Sequence, residues 1–249
     1  MAGHRRTIIL FASWCIAAAV CLSLSSMISG FGTRWGWWDF RTGLSVLKWT
    51  VYSEVAVMLL SLFGIAIASY KGTRGASSRY LTAFIIGVMA VSVPVRYGMT
   101  ARSVPPIHDI TTDTENPPQF NAILPLRKDA LNPAEYGGPA LAEQQHQAYP
   151  DIVPLTLGVQ PHQVFEQARS AAHKMGWEIV NADPLQGIIE ATDTTFWFGF
   201  KDDIVIRVSP HGGASRVDIR SLSRLGKSDV GANARRIRAF LKNLKAVGP

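Results

Sequence analysis

Residues 7–28, TIILFASWCIAAAVCLSLSSMI, form an apolar stretch that decides the class of this protein. The stretch contains no charged residue and follows Arg5 and Arg6. A helix of about 20 such residues crosses the roughly 30 Å hydrocarbon core of a bilayer. A secretory signal has a shorter apolar region and a small-residue cleavage site. Since two further apolar stretches follow, the sequence favours a retained membrane helix over a cleaved signal.

The second and third apolar stretches, at 47–69 and 81–95, predict two more helices in contact with the lipid bilayer. The second contains Glu54, a membrane-embedded polar residue. Ionisable residues inside a membrane mark functional sites by default. Trp49 and Tyr52 precede Glu54, however, and aromatic residues favour the membrane interface. An interfacial Glu54 is therefore favoured over a proton or ion relay, which would suit an accessory subunit of a membrane transporter.

Lysine and arginine residues near the spans bear on orientation, because cytoplasmic loops are enriched in them. The two sides carry five each. The short segment from Lys71 to Arg79 contains no acid, which favours the cytoplasm, and three spans place it on the side of the N-terminus. The other loop holds interface-favouring aromatic residues, namely Trp35, Trp37, Trp38, Phe40 and Trp49. The sequence predicts an N-terminus inside and a C-terminal domain outside.

The formal net charge of +7 belongs to the membrane part. Residues 1–100 contain nine Lys/Arg and two Asp/Glu, whereas residues 101–249 contain sixteen of each. A high isoelectric point usually suggests nucleic acid, but this excess flanks the spans, so no nucleic-acid partner is expected. Both cysteines, Cys15 and Cys21, lie in the first span at a spacing that separates them on a helix, so no disulfide is expected.

The pattern after the spans predicts an extended, proline-rich segment at 101–155 and a soluble domain at 156–249. A helix at 161–176 begins with proline and ends at glycine. Four strands with alternating apolar residues follow, and a helix within 228–247 closes the chain. Its three neighbouring arginines are predicted to face solvent: Arg235, Arg236 and Arg238.

This order of elements predicts an α+β fold, in which a membrane anchor at 1–100 precedes a two-layer domain. The domain would contain a four-stranded antiparallel sheet with both helices on one face. The segment that begins at Ser103 is a candidate to lie across the other face, which would carry a polar ladder made of Glu190, Thr192, Arg207, Arg216, Asp218 and Arg220.

Three motifs resemble the bacterial domain-of-unknown-function 1499 family: PPIHDITTD, GIIEATDTTFWFGFKDDIVIRV and SRVDIRSLSRLGKSDVGANARRIRAFL. The resemblance covers Pro105 to the C-terminus. It implies a multi-pass protein of the cell inner membrane with a periplasmic domain. It supplies no activity and no catalytic residue.

One polar cluster is the candidate ligand site of the domain, and its members are Arg216, Asp218, Arg220, Arg224, His108, Asp109 and Asp113. Guanidinium groups suit carboxylates and phosphates, so an anionic envelope component or a membrane protein is a candidate partner. In a structural alternative, which is preferred, the arginines bind the HDITTD segment through Asp109 and Asp113.

An enzyme is the less favoured interpretation. A metal-dependent envelope hydrolase would use His108 and nearby aspartates, which are ligands for hard metals. The sequence contains no HExxH, Walker A or nucleophile-elbow motif. No catalytic residue, metal or cofactor is therefore assigned, and the leading prediction is a non-enzymatic domain that binds or positions an envelope component.

Overall fold

Three long apolar helices stand among residues 2–246, the part of the chain described by the computed structural model. Helix α1 is Ala2–Arg34, α2 is Phe40–Tyr70 and α3 is Arg74–Ser103. Each is long and apolar enough to cross a membrane. Each helix contains its predicted apolar stretch and extends beyond it. The helical backbone continues into flanking polar residues, which a prediction based on hydropathy leaves outside the span. The three-helix anchor is confirmed, and the helices indicate association with a membrane.

Small and hydroxyl-bearing residues lie where these helices touch, as in membrane bundles generally. Between α1 and α2, Ser26 Oγ donates a hydrogen bond to Thr50 Oγ1 at 2.8 Å. Between α2 and α3, a Cβ atom at Gly64 would lie only 2.6 Å from the ring of Tyr80. Glycine at this position therefore allows the aromatic ring to pack directly on the α2 backbone.

The chain divides into two compact units. The first contains the described residues up to Met99 together with 196–199. The second contains 100–195 and the described residues from 200 onward. The second unit is an α+β domain, and its elements are described by themselves below.

The sheet of this domain is antiparallel and has six strands in the described part of the chain. The strands are β1 (Asp109–Thr111), β2 (Leu155–Leu157), β3 (Glu178–Asp183), β4 (Ile188–Thr194), β5 (Lys201–His211) and β6 (Ala214–Ser223). Strands β6, β5, β4 and β3 are neighbours in that order and correspond to the four predicted strands. Two strands were not predicted. They are β1 and β2, which pair with successive parts of the same edge of β6.

Helices pack on one face of the sheet, as predicted. The α-helices of the domain, within the described residues, are α4 (Gly138–Ala148), α5 (Pro161–Lys174) and α6 (Ala232–Lys245), and a single-turn 3₁₀-helix lies at Leu124–Arg127. Apolar side chains of α5 and α6 form the main core with alternate residues of β5 and β6. Trp177 stacks on Phe240 of α6, with ring centroids 5.5 Å apart. The core therefore lies between the sheet and these two helices.

The opposite face of the sheet is covered by the segment 112–136, which we call the arm. Phe120 and Ile123 of the arm pack on Val205 of β5 and Leu222 of β6. The backbone amide of Thr112 donates to the carbonyl oxygen of Ile219 at 2.9 Å. The expectation that the proline-rich segment lies across the polar face is confirmed.

Candidate functional site

Arg220 and Asp109 form a buried bidentate ion pair that joins β6 to β1. Arg220 Nε donates to Asp109 Oδ1 at 2.9 Å, and Nη2 donates to Oδ2 at 2.8 Å. The same guanidinium also donates to the carbonyl oxygens of Ala134 and Pro118, at 2.7 and 3.3 Å. The Arg220 side chain has no exposed surface. A buried charge is tolerated only when it is paired and hydrogen-bonded, and these partners meet that requirement for Arg220. Because Asp109 belongs to the HDITTD segment, the predicted contact between an arginine and this segment is formed.

Arg207 and Arg216 form a second, more exposed cluster with two aspartates. Arg216 Nε and Nη2 both donate to Asp218, and Arg216 Nη2 donates to Asp113 Oδ2 at 2.8 Å. Arg207 Nη2 reaches Asp113 at 3.0 Å and Asp218 at 2.9 Å. The hydrogen bond to Asp218 raises the pKa of Arg216, which keeps the guanidinium charged. The two aspartates therefore fix both arginines at the surface between the sheet and the arm.

Asp203 is the shared acceptor of two arginines on the same polar face. Arg224 Nε and Nη2 donate to its carboxylate at 2.9 and 2.8 Å, and Arg127 of the arm donates to the same group. Thr192 adds a hydroxyl donor at 2.8 Å. Burial lowers the pKa of Arg127, whereas Asp203 acts in the opposite direction. The sequence did not identify Arg127, because it lies in an irregular segment without periodicity.

Glu190 holds the arm through backbone groups. Its carboxylate accepts hydrogen bonds from the amides of Asn121, Ala122 and Ile123, at distances between 2.9 and 3.1 Å. Consecutive amides form a concave, positively polarised group that suits an anion. This contact could not be predicted from side-chain chemistry, since its donors are backbone groups that nearly any residue supplies. Glu190 therefore fixes the arm on β4 without an arginine.

Residues 109–244 match a family model described as "Protein of unknown function (DUF1499)". The chain belongs to the DUF1499 family. The match begins at Asp109 and includes every arginine of the three contacts described above, so these contacts lie within the DUF1499 domain. No curated protein matches the chain.

One predicted orientation in the DUF1499 domain is wrong. Arg236 does not face solvent but is buried between α6 and the sheet. Its guanidinium donates to Asp202 at 2.6 Å and to Asp193 at 2.9 Å. The run of bases in α6 resembled a solvated face, but the two aspartates point towards this helix from β4 and β5. Arg236 therefore joins α6 to the sheet.

His108 lies at the edge of the DUF1499 domain, apart from the arginine contacts. Its Nδ1 atom lies 3.3 Å from the carbonyl oxygen of Lys227. Among residues 2–246, no group of three or more His, Cys, Asp or Glu side chains is arranged to hold a metal ion. The neighbouring Asp109 and Asp113 are instead bound by arginines.

Tyr136 and Phe120 complete the surroundings of Arg220. The guanidinium carbon lies 5.0 Å from the centroid of the Phe120 ring and 5.5 Å from that of Tyr136. Burial, together with the nearby Asp109 carboxylate, raises the pKa of Tyr136 to about 12. The phenol is therefore neutral at physiological pH, and its ring supports the arginine by a cation–π contact.

Proposed function

We propose that this protein is a non-enzymatic membrane protein whose DUF1499 domain binds or positions an anionic component of the cell envelope. The observation that carries the proposal is the exposure of Arg216 and Arg207, whose side chains keep 33% and 22% of their surface accessible. Their hydrogen bonds to the described residues all come from the Nε and Nη2 atoms, so the Nη1 atom of each arginine has no protein acceptor within residues 2–246. Two fixed guanidinium groups with unused donors suit a carboxylate or phosphate.

The aspartates support a binding role over a metal-dependent reaction. Five aspartates of the domain are candidate metal ligands, and each accepts a hydrogen bond from at least one arginine: Asp109, Asp113, Asp202, Asp203 and Asp218. A metal ion would have to displace an arginine before it could use these carboxylates. Their contacts favour a scaffold that positions the arginines.

A test of binding uses full-length protein purified in mild detergent from its native membrane. We expect mass spectrometry to find an anionic lipid or a carboxylate-bearing compound bound to the wild type and lost in Arg216→Ala. The matched control is Arg169→Ala, which removes an exposed arginine paired with Glu166 on α5. Acyl chains in the bound compound would identify a lipid headgroup as the source of the anion, and a compound without acyl chains would identify a soluble carboxylate or phosphate. An unchanged set of compounds in Arg216→Ala would overturn the proposal.

The proposed location is the cell inner membrane, with the N-terminus in the cytoplasm and the DUF1499 domain in the periplasm. The short connection between α2 and α3 carries Lys71 and is followed by Arg74 and Arg79. Bases without acids favour the cytoplasmic side. We expect alkaline phosphatase fused to the C-terminus to be active, because this reporter requires an oxidising exterior. If the phosphatase fusion is inactive and a separate C-terminal fusion to a fluorescent protein that matures only in the cytoplasm is bright, the orientation is the reverse.

A further inference from the structure

Glu54 is a buried acid inside the helical unit. The residue lies on α2 with only 2% of its surface exposed. Neither carboxylate oxygen has a hydrogen-bond partner in the described part of the chain. A Cβ atom at Gly87 of α3 would lie 3.3 Å from Glu54 Oε1 and 2.5 Å from Met58 Cγ. The carboxyl group therefore points into the contact between α2 and α3.

The spans offer Glu54 no basic counterpart at its depth. Helix α2 has no Lys, Arg or His between Lys48 and Lys71, and the apolar lengths of α1 and α3 have none either. The other titratable groups on these lengths are weak acids: Cys15, Cys21, Tyr52 and Tyr80. Burying an unpaired carboxylate costs several kcal/mol. Uptake of a proton by the Glu54 carboxylate removes this charge. A proton needs no additional space, whereas a metal ion would need room for itself and its ligands in the close contact with Gly87.

The hydroxyl groups of Thr50 and Ser26 are satisfied by partners other than Glu54. Thr50 lies one turn before Glu54 on the same face of α2. Its Oγ1 accepts from Ser26 Oγ at 2.8 Å and donates to the carbonyl oxygen of Leu47 at 2.9 Å. Both hydroxyl-bearing residues are buried. Since neither hydroxyl donates to Glu54, neither stabilises a charged carboxylate there.

We propose that Glu54 is a membrane-embedded proton-binding site in the contact between α2 and α3. The proposal concerns the helical unit and does not depend on the ligand of the DUF1499 domain. The ligand is a proton, and the acceptor is one Glu54 carboxylate oxygen. Binding converts a buried charge into a neutral acid and needs no further reactant.

The first test is chemical labelling of full-length protein in lipid nanodiscs. The membrane-soluble reagent dicyclohexylcarbodiimide reacts with protonated carboxyl groups in apolar surroundings. We expect mass spectrometry to find its adduct on Glu54 and to find none in Glu54→Gln. The matched control group is Asp39, an exposed carboxylate whose pKa is lowered by hydrogen bonds from Thr42 and Arg41. A water-soluble carbodiimide should give the reverse preference. Absence of the Glu54 adduct would overturn the site.

The second test detects the bound proton itself. Infrared spectroscopy of the same nanodiscs should show a protonated carboxylic acid band that is missing in Glu54→Gln and shifts on transfer to D2O. The control Thr50→Val removes a buried hydroxyl that donates to the carbonyl oxygen of Leu47 rather than to Glu54, and it should keep the band. A band that persists unchanged in Glu54→Gln would overturn the site.

Discussion

Replacing Asp109 with asparagine is expected to lower the free energy of unfolding of the DUF1499 domain by about 3–5 kcal/mol. Arg220 is completely buried, and Asp109 is the carboxylate that receives two of its donors. An asparagine keeps the shape but leaves an uncompensated guanidinium charge inside the protein. Native-state hydrogen exchange of the β5 and β6 amides measures this loss in the full-length protein, since these strands exchange through the largest openings of the domain.

Asp113→Asn is the matched control for this experiment. Asp113 also accepts from arginines, but its side chain is 12% exposed, and both of its partners keep Asp218. We expect a loss of about 1.5–3 kcal/mol, the range of a hydrogen bond to a charged group. The double variant Asp109→Leu with Arg220→Met should recover much of the loss, because replacing both members of a buried pair by apolar groups is often neutral. If Asp109→Asn and Asp113→Asn have equal effects, the buried pair does not hold β1.

The regular part of the DUF1499 domain could be predicted because its residues follow strong periods. Ile204, Ile206 and Val208 alternate along β5 and all face the helices. The same alternation placed Arg216, Asp218 and Arg220 on the opposite face. Strands β1 and β2 escaped prediction because three residues are too few to show a period. Pairing with the edge of β6 makes these segments strands, and that edge is a tertiary feature.

The contacts of the candidate site divide in the same way. The attraction between the HDITTD acids and the β6 arginines could be predicted from opposite charge alone. The partner of Arg127 could not, because the sequence offers many acids and only the path of the arm selects Asp203. Glu190 was predicted to lie on the polar face of the sheet. Its partners could not be predicted, because they are backbone amides that do not depend on the identity of the side chain. Arg236 was misplaced because a buried arginine and a solvated one look alike on a basic helix.

Asp203→Asn is expected to destabilise the DUF1499 domain at least as strongly as Asp109→Asn. The expected loss in the free energy of unfolding is about 5 kcal/mol, the upper end of the range for breaking a buried ion pair. Its carboxylate is completely buried and is the ion-pair partner of both Arg127 and Arg224. The substitution therefore leaves two arginines without a counter-charge, of which Arg127 keeps only 4% of its side chain exposed. Protection of the β5 and β6 amides against hydrogen exchange should fall accordingly.

The neighbouring Asp202 supplies the control that isolates this effect. Asp202 is also buried and also binds an arginine, but its partner Arg236 retains a second carboxylate in Asp193. Asp202→Asn should therefore cost less, about 1.5–3 kcal/mol for one lost charge-assisted hydrogen bond. The two substitutions change the same atoms at adjacent positions of one strand, so a difference between them reflects the number of arginines left unpaired. An Asp203→Asn protein as stable as Asp202→Asn would show that the arm is held by its apolar contacts and by Glu190 rather than by the shared carboxylate.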